Sequence, residues 1–198
     1  MKKIISTLFT IIILAAAGGA YFIFSGTYNV AATSQDSDLV NWTLSAIREQ
    51  SIERRADEVT PPADSVLNDP KTIREGFEHY NEMCVVCHGA PGMESSEARQ
   101  GLNPKPPLLA KVAKEISPRE MFWDIKHGIK MTGMPAWGPT HSDDKIWAMV
   151  AFVKQLPQMS PEQYKTMEQE TPAEAHEEME RAPVSEVNIT PREPSDRH

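Results

Sequence analysis

The sequence predicts an all-α protein with a membrane-spanning helix at its N-terminus. Residues Ile4 to Phe24 form a 21-residue stretch without charge. Further on, apolar residues recur at three- and four-residue spacing behind helix-cap signals, and no strand alternation of useful length or Gly-rich phosphate loop occurs. A hydrophobic content of 40 % with 7 % aromatics suits one modest domain with polar flanks rather than a multispan protein. The net charge of -8 excludes a basic nucleic-acid binder. Residues 70–158 carry 11 basic and 10 acidic side chains, whereas residues 159–198 carry 4 and 10, so the acidity belongs mainly to a tail.

Residues 1–30 read as a signal anchor, with the span at about 4–24. As a helix it is roughly 30 Å long, enough to cross the hydrocarbon core and longer than the apolar core of a cleaved signal. The small residues of Ala15–Ala20 and Val30–Ala32 leave a cleavage site open as the alternative. Lys2 and Lys3 keep the N-terminus in the cytoplasm, so everything after residue 30 is exported. Residues 31–69 read as a juxtamembrane amphipathic helix and a linker. Val40, Leu44 and Ile47 share one helical face, Ile52, Ala56 and Val59 continue its spacing, and the linker starts at Pro61. That helix packs against the neighbouring domain or the membrane surface, or else docks a partner subunit.

In residues 70–158, Asp69 caps a helix that begins with Pro70, and Ile73, Phe77, Tyr80 and Cys84 share its buried face. Ser117 with Glu120 forms a capping box for a helix through Met121, Phe122 and Ile125 that stops at Gly128. Ser142 opens a third, with Ile146, Met149, Val150 and Val153 inward and Pro157 at its end. Residues 159–198 read as a short helix through Tyr164 and Met167, then a disordered acidic tail too polar to offset chain entropy.

The two cysteines stand in Cys84-Val85-Val86-Cys87-His88, the attachment pattern for c-type haem. Two thiols one helical turn apart reach the two vinyl groups as thioethers, and the adjoining imidazole lies under the iron. A structural zinc site needs further Cys or His ligands, and no other cysteine exists. A redox disulfide normally sits in a βαβ context, which is missing.

With Gly76 and Tyr80 placed eight and four residues before Cys84, and Phe152 in the last long helix, this block resembles a class I monohaem cytochrome c of the membrane-anchored bacterial type. The resemblance covers about residues 70–158. It implies helices packed around one covalently attached haem c, and a crossing of first and last helices that Gly76 makes close. It also implies axial ligation of the iron by His88 and by a methionine from the loop Lys130–Gly138. Met134, between Gly133 and Pro135, is the expected ligand, with Met131 as its nearest rival. His127 or His141 would give two-histidine ligation instead. The carbonyl of Pro106 or Pro107 is expected to accept the His88 N–H. Trp123, Trp137 and Trp147 read as packing residues, His79 as solvent-facing, and His176 and His198 as tail residues.

The expected function is one-electron transfer without enzymatic turnover, by a single-pass carrier in the inner membrane with its haem domain on the periplasmic or outer face. The expected partners are the membrane, haem maturation machinery, and a redox donor and acceptor such as a dehydrogenase, an oxidase or another cytochrome in a respiratory chain. A peroxidase-like enzyme with a displaceable methionine and a mainly structural tethering subunit are the alternatives.

Overall fold

Helix α1 spans Lys2–Phe24 and is long and apolar enough to cross a membrane. Thr7 and Thr10 return their hydroxyls to the helix's own carbonyls of Lys3 and Ser6 at 3.0 Å, so neither needs an outside partner. The computed structural model describes residues 1–171, and the predicted acidic tail lies outside them. Met1–Ser37 forms one compact unit, within which the Tyr28 hydroxyl donates to the Asp36 carboxylate. A second unit begins at Asp38.

The second unit contains helices and no strand among the described residues. Helix α2 (Asp38–Ala56) is followed by the short α3 (Asp64–Leu67) and by α4 (Pro70–His79), which runs into a π-helical turn (Tyr80–Cys84). Three further short helices follow: α5 (Val85–His88), α6 (Glu97–Gly101) and α7 (Leu109–Val112). Then come α8 (Pro118–His127), α9 (Asp143–Gln155) with a 3-10 turn at Leu156–Gln158, and α10 (Pro161–Glu170).

The expected caps are present. The Asp69 carboxylate accepts the Thr72 N–H at 3.0 Å ahead of Pro70, and Ser117 with Glu120 forms a reciprocal capping box at the start of α8. Ser160 and Gln163 do the same for α10. Ser142 precedes α9 without a side-chain cap bond.

The core forms where α4 crosses α9. A Cβ on Gly76 would lie 1.9 Å from the Ala148 carbonyl oxygen and 2.9 Å from the Phe152 Cβ, so the two backbones touch there. Around this contact the rings of Phe77 and Tyr80 each lie 5.3 Å from Phe152, and Phe77 lies 5.3 Å from Tyr164 of α10. Tyr164 is buried and its hydroxyl donates to Asn81 Oδ1 at 2.8 Å, so α10 closes the same core. From α8, Phe122 stacks on Trp147 at 4.3 Å.

One expectation is corrected. His79 is not solvent-facing: it is 2 % exposed, because the segment through Trp137 and His141 folds over it and sets the His141 ring edge-on at 5.2 Å. The apolar face of α2 is covered unevenly: Ala56 is buried and Val40 and Ile52 half-buried, while Leu44 and Ile47 are exposed. The reason is length. The 19 residues of α2 run about 28 Å against about 15 Å for the 10-residue α8 on which it packs, so α8 cannot cover it.

On α8, Asp124 has a carboxylate oxygen buried without a hydrogen-bond partner. Burial, reinforced by Glu120 and opposed by Arg48 of α2, pushes its carboxyl up to about 7. A raised carboxyl favours the folded state while protonated, so its contribution is present at low pH and is lost as pH rises from the ordinary carboxylate range through about 7. Asp124→Asn should therefore flatten the decline in stability between pH 5 and pH 8, measured by denaturant titration. Gly76→Ala should cost about 2–3 kcal/mol by forcing α4 and α9 apart. Gly101→Ala, with open space at its Cβ, should cost nothing measurable in the same unfolding experiment.

Candidate functional site

Cys84 closes the π-helical turn, in which the Val85 N–H bonds the Tyr80 carbonyl. The four-residue α5 that follows is too short to hold itself together. It is clamped from both sides. The Tyr80 hydroxyl, fixed by its ring in the core, donates to the Gly89 carbonyl at 2.5 Å. The Ser96 hydroxyl donates to the Val86 carbonyl, and the same oxygen accepts the Arg99 N–H at 3.0 Å as the cap of α6.

Cys84 packs against the core beside Met83 and Val85, and both cysteines are free. Their three-residue spacing sets them one turn apart on neighbouring helical backbone. Burial, aided by Cys87, pushes the Cys84 thiol up to about 12. A redox-active dithiol needs a lowered thiol pKa, so these surroundings oppose disulfide exchange and favour an inert thiol.

His88 ends α5, and its Nδ1 lies 3.0 Å from the carbonyl oxygen of Pro107. Of the two candidate prolines, Pro107 therefore faces the ring. A carbonyl only accepts, so Nδ1 carries the proton and donates it, leaving Nε2 with a free lone pair. Burial holds the imidazole below its ordinary pKa against the opposing Pro107 bond, and the Arg99 charge pushes the same way as burial. The ring is thus neutral and oriented. Pro107 is itself held, since α7 follows directly and Lys154 of α9 donates to the carbonyls of Ala113 and Ile116 at 3.0 and 3.1 Å.

The methionine loop begins at Gly128, where α8 ends with φ +62°. A Cβ there would lie 2.6 Å from the Pro135 carbonyl carbon, so conformation and space both require glycine. The loop folds back on α8 through Trp137 N–H to Ile125 O at 3.0 Å and Gly138 N–H to Lys126 O at 2.9 Å. Thr132 braces its tip, donating to Ile129 O at 2.7 Å and accepting the Met134 N–H at 3.1 Å. Met134 is half-buried against the core, whereas Met131 is 84 % exposed. His127 is exposed beside Trp123, and His141 packs between Trp137 and His79.

Three contributors escape a reading by motif: Ser96, Arg99 and the Tyr80 hydroxyl. Of these, Ser96 carried a legible signal, as a serine ahead of Glu97 at a helix start.

Residues 71–153 match the family described as cytochrome c oxidase, cbb3-type, subunit III. The chain carries a c-type cytochrome domain. No curated protein matches the chain. The cytochrome domain binds haem c, and its general activity is haem-based electron transfer. The side chains of this domain suit that cofactor: two unpaired thiols, an imidazole with Nε2 free, and a thioether against the same apolar cluster.

Burial lowers the His79 imidazole to about 4, with the His141 and Lys145 charges adding to the effect, and His141 is lowered as well. A depressed histidine stays neutral in the fold, while the unfolded chain takes up a proton below about pH 6.5. Stability is fully present above that pH and falls as pH drops toward 4. His79→Gln should reduce this acid slope, with the remainder coming from His141; unfolding midpoints at pH 7, 5.5 and 4.5 would measure it.

Proposed function

We propose that residues 70–158 hold one haem c, attached covalently through Cys84 and Cys87 and ligated axially by His88 and Met134. In this reading the chain is a membrane-anchored one-electron carrier and not an enzyme. The haem, when bound, supplies a ferric/ferrous couple. The observation that carries the reading is the Nδ1 contact of His88 with the Pro107 carbonyl, directly after the Cys-x-x-Cys pair. It orients the ring, makes Nε2 the ligating atom and raises its basicity.

Met134 completes the ligand set. The bracing of its loop by Thr132, Gly128 and the returning bonds to α8 supports a ligand that stays in place, and so supports electron transfer over a reaction that needs an open iron position. A thioether in that position favours the ferrous form and a higher potential than a second imidazole would. A thioether is neutral, so it suits Cys84, which packs partly buried against the apolar core.

Helix α1 anchors the protein in the inner membrane as a single pass, and Lys2 and Lys3 set the haem domain on the periplasmic or outer face. The matched family bears the name of an oxidase subunit, which supports a place beside a respiratory donor and acceptor. The domains divide as anchor (1–30), juxtamembrane segment (31–69), cytochrome (70–158) and C-terminal extension (159–198).

The test is the full chain expressed with a haem maturation system. Colour should stay with the polypeptide after denaturation, and the ferric protein should show a thioether-to-iron band. Met134→Ala should abolish that band and lower the midpoint potential, while Met131→Ala should leave both unchanged. A colourless denatured chain, or a band that survives Met134→Ala, would overturn the assignment.

A further inference from the structure

The first half of α2 exposes four large apolar side chains. From Leu39 through Ile47 the sequence has no charged residue, and Leu39, Trp42 and Ile47 are 71 %, 68 % and 61 % exposed, with Leu44 beside them also exposed. The shortness of α8 leaves this half uncovered, as described above.

At about 100° per residue, these four side chains spread over roughly 200° of the helix circumference. The middle of that arc points about 160° away from the side bearing Ile52 and Ala56, which hold α2 to the domain. On the outward side, the next turns of the helix carry Gln50, Glu53 and Arg54. The patch is therefore bounded and faces away from the cytochrome core, and the hydroxyl of Thr43 at its middle is satisfied by the Leu39 carbonyl of its own helix at 2.7 Å.

We propose that the Leu39, Trp42, Leu44 and Ile47 end of α2 lies in the headgroup layer of the membrane that α1 crosses, an inference that rests on α1 being a retained anchor. Residues 25–37 are the whole connection between the two helices. Thirteen extended residues reach at most about 45 Å, so the patch stays within that distance of the end of α1. A helix packed on a protein core needs an apolar stripe of about 100°, and this arc is wider, as suits a helix whose apolar face sinks into the boundary between headgroups and acyl chains. Trp42 suits the position, since an indole has an apolar body and an N–H that the interfacial layer can satisfy. Docked this way, α2 carries the domain fastened to its second half and restrains the direction in which the cytochrome faces the membrane.

The full holo-protein in vesicles of phosphatidylcholine and phosphatidylglycerol alone, with bromine placed shallowly on the acyl chains, tests this. Trp42 emission, isolated by subtracting the Trp42→Phe variant, should be quenched at least twofold. The paired change Leu39→Asp with Ile47→Asp should abolish the quenching while the protein still floats with the vesicles. Flotation without quenching of Trp42 overturns the proposal, even if a partner protein added later shields the residue, because the occupant is then a protein. Failure to float overturns the anchor reading and this proposal with it.

Discussion

Two backbones in contact at Gly76 set the geometry of the cytochrome domain. The Ala148 carbonyl occupies the space where a side chain on α4 would otherwise stand, and neither helix can retreat without opening the ring cluster on either side. That cluster joins α4, α9 and α10 through Phe77, Tyr80, Phe152 and Tyr164. Tyr80 then transmits the crossing to the site: with its ring held at 5.3 Å from Phe152, its hydroxyl stands where the Gly89 carbonyl needs it. A helix–helix contact thus positions a five-residue motif that has too little structure of its own.

The interior is kept neutral. Cys84 is held as a thiol and His79 and His88 as uncharged imidazoles, all chiefly by burial. The ion pairs Arg74–Glu170 and Lys126–Asp143 stand at the periphery, where solvent makes such pairs worth little. Lys154 has a structural task nearer the core, because it donates to the carbonyl of Ala113, the C-cap of α7, and to that of Ile116 just ahead of the α8 cap.

The long elements were legible because their signals are local: Asp69–Pro70, Ser117–Glu120 and Ser160–Gln163 each declare a helix start within four residues. Gly76 and Phe152 were legible only through a resemblance, since nothing in their own neighbourhoods says that they meet. Helices α3, α5, α6 and α7 span four or five residues, shorter than any hydrophobic period can reveal. The π-helical turn at Tyr80 has no Gly or Pro to announce it, and the spacing of Phe77, Tyr80 and Cys84 suits an unbroken α-helix equally well. His79 was misjudged because its burial comes from a loop some 60 residues away, a tertiary fact that helical position cannot encode. The choice between Pro106 and Pro107, left open by adjacency, falls to the path of the chain into α7.

The burial of Cys84 has a consequence for the order of events during biogenesis. Cys84 packs against a core cluster whose last contributors, Phe152 and Tyr164, lie 68 and 80 positions downstream. At ribosomal speeds of roughly 5–20 residues per second, the cysteines exist for several seconds before the helices that enclose them have been made. Until those helices exist the motif has no core to pack against, and five residues alone are too few to hold a helix.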